Sequence, residues 1–165
     1  MPENVNKFAD IVVQYCRFID HRNETAAGAF VRECARLLGA IFSLAVDLPD
    51  VHVQSTETLP DVVSREVGLE IARDVRGIFG DCNIYWSVFD PLEIAEPVAG
   101  DLSDDLTSIY TELLEGLTTF RVGSEEQRLE AVWHWKFGFE VHWGKHLVAA
   151  LGPIQSILTG HLIDE

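Results

Sequence analysis

Cysteine is too scarce and too scattered in this chain to build a framework. Cys16, Cys34 and Cys82 are odd in number and form no Cys-x-x-Cys pair, which argues against both a disulfide scaffold and a thiolate zinc site. A reducing cytoplasm is the expected setting. Basic residues are also few: 12 Lys and Arg stand against 27 Asp and Glu, for a net charge of −15. No cluster of cations is available to neutralise phosphates, so nucleic-acid binding is not expected. Long apolar runs are missing too. Leu37 to Val46 is the most apolar stretch, and it is ten residues long with Gly39 and Ser43 inside it. That is too short to span a bilayer and suits a buried core helix. The N-terminus, with Lys7 and Asp10 among its apolar residues, does not have the pattern of a signal peptide. Neither a phosphate-binding Gly-x-x-x-x-Gly-Lys-Ser/Thr loop, nor a Gly-x-Gly-x-x-Gly turn, nor a Gly-x-Ser-x-Gly elbow occurs.

What is present is helical periodicity. At 47% apolar and 24% charged, 165 residues suffice for one packed domain spanning 1–165. Phe8, Ile11, Val12, Tyr15, Phe18 and Ile19 follow helical spacing and predict a first amphipathic helix over 4–21. Asn23 offers a cap for a second helix that Pro49 stops, making an antiparallel hairpin. A polar loop between Pro49 and Pro60 precedes a third helix, which is expected to end at Gly80. Residues 81–100 lose the period. Their Ile84-Tyr85-Trp86 segment favours extended backbone, but no second strand is evident, so an ordered, non-helical, aromatic-rich connection is expected.

The fourth helix carries the stripe Leu106, Ile109, Tyr110, Leu113 and Leu117, with Ser103 as its expected cap. After Gly123, Ser124 and Gln127 form a capping-box pattern opening a fifth helix, expected to run to about Leu151 before Pro153 breaks it. Apolar on both sides, that helix is expected to be central. The fold class is therefore all-α: an antiparallel bundle of five to six helices with an irregular connection at 81–100.

Chemistry concentrates in the fifth helix. His142 and His146, four residues apart, share one helical face and can reach one metal ion. Glu140 lies about 200° round the helix from His142 and cannot join them. An antiparallel fourth helix would bring Asp101, Asp104 and Asp105 near the two histidines, with Glu112 two turns on from Asp105. Other readings stand beside this one. Acids in a first helical turn complement the helix dipole without any ion. Core histidines usually satisfy one hydrogen bond. The His-Glu-x-x-His pattern of zinc proteases is absent, because position 143 is Trp. Lys136 and Glu140 suit a simple i,i+4 pair.

Asp104-Asp105-Leu106 with Ile109-Tyr110, then Trp135, His142-Trp143-Gly144 and His146 before Ala149-Ala150-Leu151, resemble an uncharacterised bacterial family catalogued as a domain of unknown function. Tyr15-Cys16 and Phe89-Asp90-Pro91 also look similar to its pattern. The resemblance implies a small, mostly helical protein and no particular activity. A second likeness is to three-histidine metal bundles of the DinB type, onto which His52, His142 and His146 would be laid.

Two functional expectations follow. The first is a non-enzymatic binding or regulatory module with an acidic surface, serving a protein partner or small ligand and compatible with a homo-oligomer. The second is a metal-dependent hydrolase in which His142, His146 and one of Asp101, Asp104 or Asp105 hold zinc, manganese or nickel.

Overall fold

The computed structural model describes residues 1–53, 58–88 and 90–163. Among the described residues are six α-helices: α1 Glu3–Asp20, α2 Ala27–Ala45, α3 Arg65–Phe79, α4 Leu102–Val122, α5 Glu125–Val141 and α6 Trp143–Gly160. A two-stranded antiparallel hairpin, β1 Ile84–Ser87 and β2 Val98–Asp101, sits between α3 and α4. The expected all-α bundle is what forms. Among the described residues no helix is long and apolar enough to cross a membrane.

The first helix buries the face its spacing implies: Val5, Phe8, Val12, Tyr15 and Ile19 are inaccessible to solvent. Aromatic side chains then tie the bundle together. Phe8 meets the edge of Trp135 at 5.1 Å between ring centroids. The Trp135 indole N–H donates to the Leu113 carbonyl at 3.2 Å, and the Tyr15 hydroxyl donates to the Leu106 carbonyl at 2.8 Å. Trp135 and Tyr15 thus satisfy their polar tips on the backbone of α4. That helix, touching α1, α3, α5 and α6, is the centre of the bundle. The fifth helix, expected there, lies to one side.

Several local details differ from the sequence reading. A 3-10 turn, Arg22–Glu24, joins α1 to α2, and Ala26 rather than Asn23 precedes the second helix. The Asn23 side chain donates instead to Asp74, at 3.1 Å. Asp74 also receives the buried Arg22 guanidinium through two bonds of 3.1 and 2.8 Å. The Asn23 bond leads the causes that hold its carboxyl below the usual range. Lys136 pairs with Asp50 at 2.6 Å rather than with Glu140. Gly80, at φ +53°, ends α3 as expected.

The largest difference lies in the fifth helix. It breaks at His142, whose φ of −139° and ψ of −85° leave the helical region, and Pro153 sits inside α6 without stopping it. The reason for the break is packing. The Trp143 indole folds back over α5, lies against Gly138 and donates to the Trp135 carbonyl at 3.0 Å. Gly144 lets the new helix start hard against the Phe139 carbonyl, where a Cβ would collide. Pro153 costs α6 one ladder bond, about 3 kcal/mol in an isolated helix. Burial of Ile154 and Ile157 in the core just beyond it offsets that loss.

Candidate functional site

Asp105 is the hub of the polar residues. It lies in the first turn of α4, only 5% exposed, and divides its carboxylate between two donors. The His146 ring nitrogen Nδ1 sits 2.7 Å from Oδ1, and the Tyr85 hydroxyl donates to Oδ2 at 2.6 Å. An ionised carboxylate only accepts, so Nδ1 of His146 carries the proton and Nε2 presents its lone pair when the ring is neutral. The Asp105 hydrogen bond raises the His146 pKa, against the opposing effect of burial, with the charges of Asp105, Asp104 and Glu112 adding to the rise. Burial leads the causes that raise the Tyr85 pKa, followed by its bond to Asp105.

Tyr85 reaches Asp105 because Gly100 faces it across the hairpin. The two are register partners, and a Cβ on Gly100 would overlap the phenol ring. The hairpin is therefore a correction to the unpaired connection expected at 81–100, and it delivers a residue that sequence reasoning missed. The signal was weak: Val98-Ala99-Gly100-Asp101 has little alternation of apolar and polar residues.

The other expected residues divide. His142 and His146 lie together, with ring centroids 4.9 Å apart. His142, however, turns its Nδ1 to Glu112, two turns along α4 from Asp105. Asp101 is drawn off entirely. It caps α4 in place of Ser103, accepting from the backbone of Ser103 at 2.9 Å and of Asp104 at 3.2 Å, and it also binds Asn83 and Arg76. Burial pushes its carboxyl up, but the bonds from Ser103 and Asn83, with help from Arg76, outweigh this and hold it low. Ser103 is buried and gives its hydroxyl to Asp101.

Exposed Asp104 keeps the place of a first-turn acid, yet its carboxylate, that of Asp105 and a nitrogen of His146 all lie within 4.8 Å of one another. Among the described residues neither His142 nor His52 joins that group, and His52 is exposed in the loop after α2. Glu115, one turn from Glu112, adds a third feature: burial first, then Asp61 and Glu112, push its pKa up to about 7.

Tyr85 also belongs to a second feature. The residue is among those that line a cleft of about 1100 Å³ between the hairpin and α6. Ile84 and Trp86 line its hairpin side and Val148, Ala149 and Gly152 its α6 side, with Phe42 of α2 and Leu162 also in the lining. The volume is at the upper end for ligand sites, and the lining is mainly apolar. No motif marked this cleft, because its residues come from four separate segments.

Comparison with proteins of curated function gives no match. Among solved structures, the crystal structure of protein BF1032 from Bacteroides fragilis superposes with a TM-score of 0.82 at 20% identity. The match covers 94% of this chain and 92% of that one, and at this identity it speaks for the fold. The model of the family described as Domain of unknown function (DUF5063) matches residues 1–159, and the chain belongs to that family.

Proposed function

We propose that this protein is a non-enzymatic binding module whose ligand seats in the cleft between the β-hairpin and α6. The observation that carries this reading is the cleft itself: a large, mainly apolar hollow flanked by Trp86, Val148 and Leu162, which are 72%, 55% and 61% exposed. Apolar side chains gathered in a surface concavity are the usual mark of a site that something covers. On this reading the polar cluster is framework. Asp105 has both oxygens engaged, and through Tyr85 it fixes one wall of the cleft. The test is titration with Nile red, a neutral apolar dye, into the wild type and into Val148→Asp, with circular dichroism as the check on folding. Saturable fluorescence enhancement in the wild type, at least tenfold weaker in the variant, is expected. No enhancement, or the same enhancement in both proteins, overturns the reading.

A second reading is favoured by one observation, the convergence of Asp104, Asp105 and His146. Two carboxylates and an imidazole are a donor set for zinc or manganese, and three protein ligands leave a position open for water. On this reading the ion would take the place of the proton now held between His146 Nδ1 and Asp105, so that both residues serve as ligands. His142, turned to Glu112, would be a neighbour rather than a ligand. Metal content after exposure to zinc, manganese and nickel, compared between wild type and Asp104→Asn, decides it. Stoichiometric metal lost in the variant supports a metal-dependent hydrolase, and none in either protein removes that reading.

A further inference from the structure

The cleft is too open to be an enclosed small-molecule pocket. A wall residue that closes over a small ligand is already mostly buried, whereas Trp86 keeps 72% of its surface in water. The shape is that of a groove waiting for a ridge. Along its α6 side, Ala149, Gly152 and Ser156 recur at helical spacing and leave the floor low, and a Cβ added at Gly152 would meet nothing within 4 Å. Ala149 to Ser156 spans two turns of α6, a length along which apolar anchors at positions i, i+3 or i+4, and i+7 can lie.

Charge selects among occupants. Asp81 and Asp90 line the groove, and among its described lining residues Lys145 is the only cation, in a chain of net charge −15. A second copy of the same chain would bring another −15 against this face, and an anionic amphiphile would meet the same field. A cationic partner is attracted by it. We propose that the groove between the β-hairpin and α6 docks an amphipathic helix of a partner protein, one whose apolar face is flanked by Lys or Arg. The proposal rests on the reading of the cleft as a binding site and adds the identity of what fills it.

The test uses the full chain and synthetic 18-residue peptides labelled with fluorescein, followed by fluorescence anisotropy at 0.15 M salt. One peptide places Leu at i, i+3, i+4 and i+7 with Lys elsewhere. The second has the same composition in scrambled order, and the third replaces Lys by Glu. The ordered Leu/Lys peptide is expected to bind the wild type at least tenfold more tightly than either control. Val148→Asp, whose site on α6 is more than half exposed, should weaken that binding at least tenfold while leaving the helical circular dichroism unchanged. Asp81→Asn/Asp90→Asn should weaken it and flatten its salt dependence. Equal binding of ordered and scrambled peptides would reduce the effect to charge alone and overturn the proposal, as would equal binding of the Glu peptide. So would uptake by phosphatidylcholine vesicles, or self-association blocked by Val148→Asp, in place of peptide binding. Nile red binding without peptide binding overturns this inference and leaves the proposed function standing. Failure of both removes both.

Discussion

Replacing Asp105 by Asn tests whether the polar cluster is held as one unit. The carboxylate takes two charge-assisted bonds, from Tyr85 at 2.6 Å and from His146 at 2.7 Å, at a position 5% exposed. Each is worth about 1.5–3 kcal/mol. The amide keeps one acceptor oxygen and turns an NH2 toward a donor, so about one neutral bond survives. Relief of repulsion from Asp104 returns no more than about 0.5 kcal/mol. The net cost is about 3 kcal/mol. For a chain of this size that lowers the melting temperature by about 6–12 °C. The pH dependence adds a sharper criterion. The folded pKa of His146 is raised by Asp105, so the stability from this pair is full below the unfolded value near 6.5 and is lost as pH rises through the folded value. Melting curves of wild type and variant should therefore differ more at pH 5.5 than at pH 9, with a remainder at pH 9 from the Tyr85 bond. Identical melting temperatures, or a gap that widens with pH, would refute the reasoning.

Five further substitutions have definite expected effects. Glu115 has a folded pKa of about 7, raised by burial and then by Asp61 and Glu112, so its ionisation destabilises the fold as pH rises from about 4.3 through 7. Glu115→Gln should stabilise by about 1 kcal/mol at pH 8 and by nothing at pH 4, once its partial exposure is discounted, which urea unfolding at the two pH values would measure. Gly144→Ala pushes a methyl into the Phe139 carbonyl and should cost about 3 kcal/mol. Gly39→Ala, in α2 with nothing within 4 Å, should stabilise by about 0.5–1 kcal/mol by the same assay. Arg22→Ala removes both guanidinium bonds to the half-buried Asp74 and should cost about 3 kcal/mol, whereas Arg65→Ala, on the exposed start of α3, should cost less than about 0.5.

Much of this architecture is legible in the chain because burial enforces helical spacing. The stripes of α1 and α4 were readable for that reason, and the Ser124–Gln127 capping box forms with both of its reciprocal bonds. The approach of His146 to Asp105 followed from a short loop that forces α4 and α5 antiparallel. What stayed hidden depended on single contacts between distant segments. Nothing local at Tyr85 says that its hydroxyl reaches Asp105, since that requires Gly100 across a hairpin whose second strand has hardly any pattern. The turn at His142 was masked by an apolar sequence that is equally good for one straight helix. Only the Trp143 indole lying back on Gly138 decides against it. Pro153 was misleading in the opposite way, because its local penalty is smaller than the gain from burying Ile154 and Ile157.

The hairpin has a consequence in time as well as in space. Two four-residue strands are too little to persist alone in water. Their amide hydrogens should exchange through local opening rather than through unfolding of the bundle. The phenolic bond to Asp105 ties that opening to the charge on a buried carboxylate. Each excursion of the strand that carries Tyr85 and Trp86 would swing back one wall of the groove and at the same moment let water reach Asp105. Amide exchange of Tyr85 and Trp86 should therefore report two events with a single rate: the unlatching of the groove and the wetting of the cluster beneath it.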